Sequence, residues 1–214
     1  PSRHLDVVGV TGTNGKTSVV HLLAGVLGQV GRVPGSIGTL TGDLTTPEAP
    51  DLQRRLAVWL DEGRDSVVME VSSHALDQQR VDGTRFFASA FTNFSRDHLD
   101  HHGTMEAYAA AKARLFTREF TDRAVVNVDD VAGRRQAEMA TAAGLDVIEV
   151  STVDMPAEVG IQRVRFTWRG LDVEVPVGGR FTVANAVMAA ELAMMLGVQP
   201  PAVVAGLGAV TPVP

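Results

Sequence analysis

Apolar positions along the chain fall into two kinds of run that alternate. Residues 5–10, Leu5-Asp6-Val7-Val8-Gly9-Val10, make a short β-branched stretch, and residues 16–27 carry apolar side chains at helical spacing, with a Gly-rich segment between them. Strand, loop and helix follow in that order. Residues 51–60 predict a second helix, and Ser66-Val67-Val68-Met69-Glu70-Val71 a strand apolar enough to be buried on both faces. Ser72 or Ser73 is placed to cap what comes next. A further apolar run spans residues 86–91 and ends in Thr92-Asn93. Residues 104–116 predict a helix, 124–128 a strand, 131–143 a helix and 145–150 a strand. Such alternation implies right-handed crossovers and an α/β fold with a mainly parallel sheet and helices on both faces. Active groups are then expected at the C-terminal ends of the strands.

The pattern changes near residue 162. Val164-Arg165-Phe166-Thr167-Trp168 and Leu171-Asp172-Val173-Glu174-Val175 alternate in polarity around Arg169-Gly170, which predicts a hairpin and a small antiparallel excursion near 162–176. Helices at 181–196 and 201–207 close the chain. At 214 residues, 45% hydrophobic and 21% charged, the composition suits one globular domain with a full core.

The loop Thr11-Gly12-Thr13-Asn14-Gly15-Lys16-Thr17 carries the clearest chemistry. A strand feeding glycines into a helix start offers backbone N–H groups to an anion, with Lys16 as a point charge and Thr17 as a hydroxyl for magnesium. The strict phosphate-loop pattern has a glycine five residues before Gly15. Val10 stands there instead, with Gly9 and Gly12 beside it, so the loop is a variant.

Charge and cysteine content narrow the ligands. A net charge of −6 argues against coating nucleic acid or an anionic membrane, and small phosphates remain allowed. With no cysteine, any metal must be held by oxygen or imidazole, which favours magnesium. No stretch reads as a signal peptide or a bilayer span, so a cytoplasmic protein is expected. The start at Pro1 is expected of a piece of something longer.

Three further side chains stand out. Glu70 ends an apolar strand, where a carboxylate is costly unless paired or metal-bound. His98, in Ser95-Arg96-Asp97-His98-Leu99-Asp100-His101-His102, follows another strand end and is a second candidate ligand; the alternative is a solvated loop with three histidines. Lys112 shares a helix face with Met105, Tyr108 and Leu115. A lysine so placed either snorkels its head to water or is paired or chemically altered.

Taken together these motifs resemble the Mur ligases, and within them the branch that makes the muramoyl tripeptide. The resemblance rests on the phosphate loop, on Met69-Glu70-Val71-Ser72-Ser73-His74-Ala75-Leu76, on Phe91-Thr92-Asn93-Phe94-Ser95-Arg96-Asp97-His98-Leu99-Asp100 with His102-Gly103, and on Tyr108-Ala109-Ala110-Ala111-Lys112. It implies ATP and Mg²⁺ as cofactors. ATP would lie on Gly12, Thr13, Asn14, Gly15, Lys16, Thr17 and Ser18, with Asn185 towards the base. Magnesium would be held by Thr17, Glu70, His98 and a carbamylated Lys112, and Lys16, Glu70, His98 and Lys112 would be catalytic. Thr45, Thr46, Ser72, Gln78 and Arg80 would hold a UDP-muramoyl peptide.

The implied reaction activates the peptide carboxylate as an acyl phosphate, which an amino acid then attacks. The implied partners also include N- and C-terminal domains for the uridine end and the incoming amino acid, so residues 1–214 are expected to be the central domain alone, with residues 210–214 opening a linker. Neither nucleic acid nor membrane is expected as a partner. The family pattern Gly-x-Phe-Asn-x-x-Asn reads here as Gly179-Arg180-Phe181-Thr182-Val183-Ala184-Asn185, with threonine at the first asparagine. Helix capping by Thr182 is the ordinary alternative there. For the chain as a whole, the alternatives are a folylpolyglutamate or cyanophycin-type ligase core and a non-catalytic nucleotide-binding or assembly module.

Overall fold

The structure is a computed structural model that describes residues 1–42 and 44–211. The end of the expected linker, 212–214, lies outside the described residues. Six strands, β1 (Asp6–Thr11), β2 (Gly35–Ile37), β3 (Ser66–Glu70), β4 (Ala88–Phe91), β5 (Arg123–Asn127) and β6 (Asp146–Val150), form a parallel sheet in the order β2-β3-β1-β4-β5-β6. Strand β1 lies at the centre. The chain leaves it towards β2 and β3 on one side and continues to β4 on the other, so β1 borders a topological switch point. In such sheets the crevice at the strand C-termini is where ligands bind.

Alternation along the strands divides the core into two. Val8 and Val10 of β1 face one side with Val68, Ala88 and Ala90. On that side pack α1 (Lys16–Gln29), α7 (Phe181–Met195) and α8 (Pro200–Gly208). Val7, Val67, Met69 and Val126 face the other side, under α2 (Ala49–Asp61), α3 (Ser73–Asp77), α5 (Met105–Ala113) and α6 (Val131–Ala142). Because both faces are covered, these strands read as unbroken apolar runs. Helix α7 is buried almost all round, as its Ala- and Met-rich sequence requires, since it fits between α1, α8 and a second sheet.

That second sheet is antiparallel: β7 (Ala157–Val159), β8 (Val164–Trp168) and β9 (Leu171–Val175). Arg169 and Gly170 both have positive φ, 50° and 75°, the signature of a type I′ hairpin turn. The excursion therefore begins earlier than expected, at β7, which is too short and exposed to show an alternating pattern. Glu191, buried on α7, fastens the hairpin: it accepts from Trp168 Nε1 at 2.9 Å and from Arg169 at 2.8 Å.

Besides β7, three short elements escaped the sequence pattern: β2, α3 and α4 (Leu99–His102). None is long enough for a period to register. The helix expected over 104–116 ends in a 3₁₀ turn at Arg114–Phe116. Among the described residues, no helix is long and apolar enough to cross a membrane.

Candidate functional site

The loop from β1 to α1 wraps the C-terminal edge of the sheet. Gly12 and Gly15 have φ of 146° and 84°, and a Cβ on Gly12 would lie 1.9 Å from Thr92 Oγ1, so only glycine lets the loop approach β4 this closely. The segment after β4 straps the loop down. Thr13 N donates to Asn93 O at 3.0 Å, Asn14 N to Asn93 Oδ1 at 2.9 Å, and Thr92 Oγ1 to Asn14 O at 2.6 Å. Tyr108 of α5 adds its hydroxyl, 3.2 Å from Thr13 Oγ1. Residues 12–18 thus enter a fixed loop followed by a helix N-terminus. Thr17 and Ser18 sit half-buried in the first turn of α1, and Asn14 is exposed at the rim.

Two lysines meet on this loop. Lys16 Nζ donates to Gly12 O at 3.0 Å and to Thr13 O at 2.9 Å. Lys112 Nζ donates to the same Gly12 carbonyl at 2.8 Å and lies 4.5 Å from the centroid of the Tyr108 ring. Only 1% of Lys112 is exposed and its head is bonded to the loop, so the snorkelling alternative is excluded. Burial, reinforced by the Lys16 charge, lowers the Lys112 ammonium to about 7. Burial also draws Lys16 down, opposed by the carboxylates of Glu70 and Asp97.

Glu70 is 2% exposed at the end of β3. Its Oε1 accepts from Thr17 Oγ1 at 3.0 Å and from Thr39 N at 2.9 Å. Thr17 and Glu70 therefore converge as expected. Gly38 and Thr39 were missed, and a Cβ on Gly38 would meet Glu70 Oε1 at 2.3 Å. No spacing rule ties the turn after β2 to the end of β3, because their meeting follows only from sheet order. A cavity of about 150 Å³ opens here between α1 and residues 38–41.

The proposed substrate threonines, serine and arginine form one network beside Glu70. Thr46, fully buried, donates its hydroxyl to Glu70 O at 3.0 Å and accepts from Ser72 N at 3.0 Å. Ser72 caps α3 by accepting from Ala75 N at 3.1 Å. Arg80 donates to Thr46 O at 3.2 Å, pairs with Glu48 at 3.1 Å and also donates to Gln78 Oε1. Thr45 Oγ1 lies 3.3 Å from Thr39 Oγ1.

His98 has a left-handed backbone, φ 52°, and belongs to an aromatic cluster. Its ring sits edge-on to His74 at 4.9 Å and to Tyr108 at 5.8 Å, with His101 and His102 adjoining. Burial and the neighbouring imidazoles hold His74 and His102 below the usual histidine value. Asn185, on α7, faces the loop, where a Cβ on Gly15 would come 2.6 Å from its Oδ1. Thr182 does not cap α7. Arg180 holds the cap position, and Thr182 Oγ1 donates back to Gly178 O at 2.8 Å, while Phe181 stands 84% exposed at the helix start.

The profile of the Mur ligase middle domain matches residues 10–193. The chain belongs to the Mur ligase middle-domain family. A UDP-N-acetylmuramoyl-L-alanyl-D-glutamate–2,6-diaminopimelate ligase of Alkalilimnicola ehrlichii is 41% identical over 236 aligned positions, covering 100% of this chain and 47% of that protein. Its counterpart in Chromobacterium violaceum is 42% identical over 208 positions, covering 86% and 41%. A solved structure bearing the same enzyme name superposes with a TM-score of 0.87 at 31% identity, covering 98% of this chain and 47% of that one. The chain spans about half the length of the relatives it matches. The α/β architecture with its small antiparallel sheet is that of the Mur ligase middle domain.

Proposed function

We propose that this chain is the ATP-binding core of a cytoplasmic ligase that adds the third residue to UDP-N-acetylmuramoyl-L-Ala-D-Glu in peptidoglycan synthesis. The names of the relatives point to 2,6-diaminopimelate as the incoming amino acid. The carrying observation is the shared carbonyl of Gly12, on which two ammonium groups converge. The carbonyl dipoles of Gly12 and Thr13 cannot balance one buried and one half-buried cation, so the site calls for anions. The phosphates of ATP on residues 12–18 supply them, and carbamylation of Lys112 supplies another: its neutral amine attacks carbon dioxide, forming an N–C bond and releasing a proton.

Magnesium fits the donors present. Thr17 Oγ1 and Glu70 Oε1 are oxygen donors 3.0 Å apart, the hard ligands that magnesium prefers. Together with His98 and carbamylated Lys112 they would hold it, and its charge would offset that of the phosphates. Lys16 neutralises the charge that develops during phosphoryl transfer to the peptide carboxylate, and the strapped loop orients it. Phosphorylation turns a poor leaving oxygen into phosphate, which the amino-acid amine displaces. Thr45, Ser72, Gln78 and Arg80 orient the muramoyl peptide, while Thr46, with its hydroxyl engaged on both sides, holds their loops together. Domains before and after residues 1–214 supply the uridine and amino-acid sites.

Calorimetric titration of this chain with Mg²⁺ and a non-hydrolysable ATP analogue tests the nucleotide site. Binding that vanishes in Lys16→Ala is expected, whereas equal binding by that variant would overturn the assignment. The full-length protein should form tripeptide product from the UDP-linked dipeptide, ATP and diaminopimelate, and this chain alone should form none.

A further inference from the structure

The magnesium set proposed above includes His98 and leaves the other histidines of its segment unassigned. Helix α3 carries His74 and Asp77 three positions apart, hence on one face. Helix α4 carries His101 and His102 against that face. His101 Nε2 lies 2.9 Å from Asp77 Oδ2, and the His101 ring packs at 4.1 Å on His74. The ring of His102 stands at 89° to that of His101, their centroids 4.7 Å apart, and is fixed from behind by Ser73 Oγ at 3.0 Å and by the Tyr108 ring at 5.1 Å. One donor atom each from Asp77, His101 and His102 lies within 4.8 Å of the other two.

From this we propose a second metal site, made by Asp77, His101 and His102 with His74 as the nearest further imidazole, that takes a borderline divalent transition metal such as Zn²⁺. Four-coordinate zinc holds nitrogen and oxygen donors at about 2.0–2.2 Å, which places the donors roughly 3.3–3.6 Å from one another. Asp77 Oδ2 and His101 Nε2, now 2.9 Å apart, reach that spacing by opening roughly half an ångström, and His102 reaches it by a side-chain shift of about 1 Å. The donor set also separates this site from the Thr17–Glu70 pair. Imidazoles with one carboxylate suit zinc, cobalt, nickel or copper, while the oxygen pair suits magnesium. Two donors come from the segment after β3 and two from the segment after β4, so a bound ion ties α3 to α4. Ser73 provides the hydrogen bond that orients His102, a role common behind metal-binding histidines.

The test is titration of the chelator-treated chain with Co²⁺ and then Zn²⁺, in excess Mg²⁺, followed by the visible absorption of tetrahedral cobalt and by calorimetry. One equivalent of Co²⁺ giving that absorption, displaced by Zn²⁺, is expected. His101→Phe and Asp77→Asn should each weaken binding by at least about tenfold, while Glu70→Gln leaves it unchanged. Melting of both variants in chelator should match the parent, because both side chains are at the surface, and their agreement guards against loss of fold in either one. Absence of binding overturns the proposal. So does binding that survives in His101→Phe and disappears in Glu70→Gln, which would put the ion on the magnesium ligands.

Discussion

Lys112 and Lys16 donate to one acceptor, the carbonyl oxygen of Gly12, at 2.8 and 3.0 Å. Helix α5 brings the first lysine and the strand-to-helix loop the second. Two ammonium groups held this close in a buried place repel each other, and the deeper one yields its proton more easily.

That proton equilibrium has a signature in stability. In the folded, unmodified chain Lys112 titrates at about 7, against 10.5 when unperturbed. Below pH 7 both states hold the proton and the cost of burying the cation is fully felt. Between pH 7 and 10.5 the unfolded chain binds more protons, so stability rises with pH and levels off above that window. Urea denaturation in bicarbonate-free buffer, compared with Lys112→Met, should show a parent-minus-variant difference that grows across the window. A flat difference would show that the amine keeps its ordinary value.

A neutral amine near pH 7 is also the form that reacts with carbon dioxide. With ¹³C-labelled bicarbonate the chain is expected to show a carbamate carbon resonance that is missing in Lys112→Arg. An unmodified lysine in the parent under the same conditions would contradict the carbamylated ligand.

Gly12→Ala places a methyl group 1.9 Å from Thr92 Oγ1 on a backbone with φ 146°. Strain of that kind costs roughly 1–3 kcal/mol before the clash is counted. Thermal melting should fall by about 2–4 °C for each kcal/mol in a chain of this size, and affinity for the ATP analogue should fall with it. Retention of both would mean that the loop has freedom the strapping bonds deny it.

Glu191→Ala removes the acceptor for buried Trp168 Nε1 and for Arg169. An unpaired buried donor costs about 1–3 kcal/mol, which chemical denaturation would register, and Glu191→Gln should recover part of it. Nucleotide affinity should stay the same, since this clamp anchors the hairpin and touches no group of the phosphate loop.

Much of the site was legible because its parts are local. A strand, two glycines, a lysine and a threonine in seven residues specify an anion cradle wherever they fold, and Arg169-Gly170 between alternating runs specifies a hairpin turn. Glu70 and Lys112 were legible as oddities, a charge on an apolar strand and a charge on an apolar helix face. Thr39, Thr92 and Asn93 gave no such sign, being polar residues after strand ends whose partners lie on remote segments, Glu70 for the first and the phosphate loop for the other two. The histidine segment read as a single motif, and folding packs all three of its imidazoles around His74 while setting His101 against Asp77.

By itself, then, the amino-acid sequence determined the element order, the parallel sheet and the phosphate loop, because helical and strand periods and glycine-dependent turns are properties of neighbouring residues. Tertiary structure alone decided that Lys112 is buried rather than snorkelling, that it shares Gly12 with Lys16, that Thr39 reaches Glu70 and that Asp77 faces His101. Those outcomes depend on the strand order β2-β3-β1-β4 and on the packing of α5 against α3. Desolvation and distance between residues remote in the chain are set by that packing, and no local pattern encodes them.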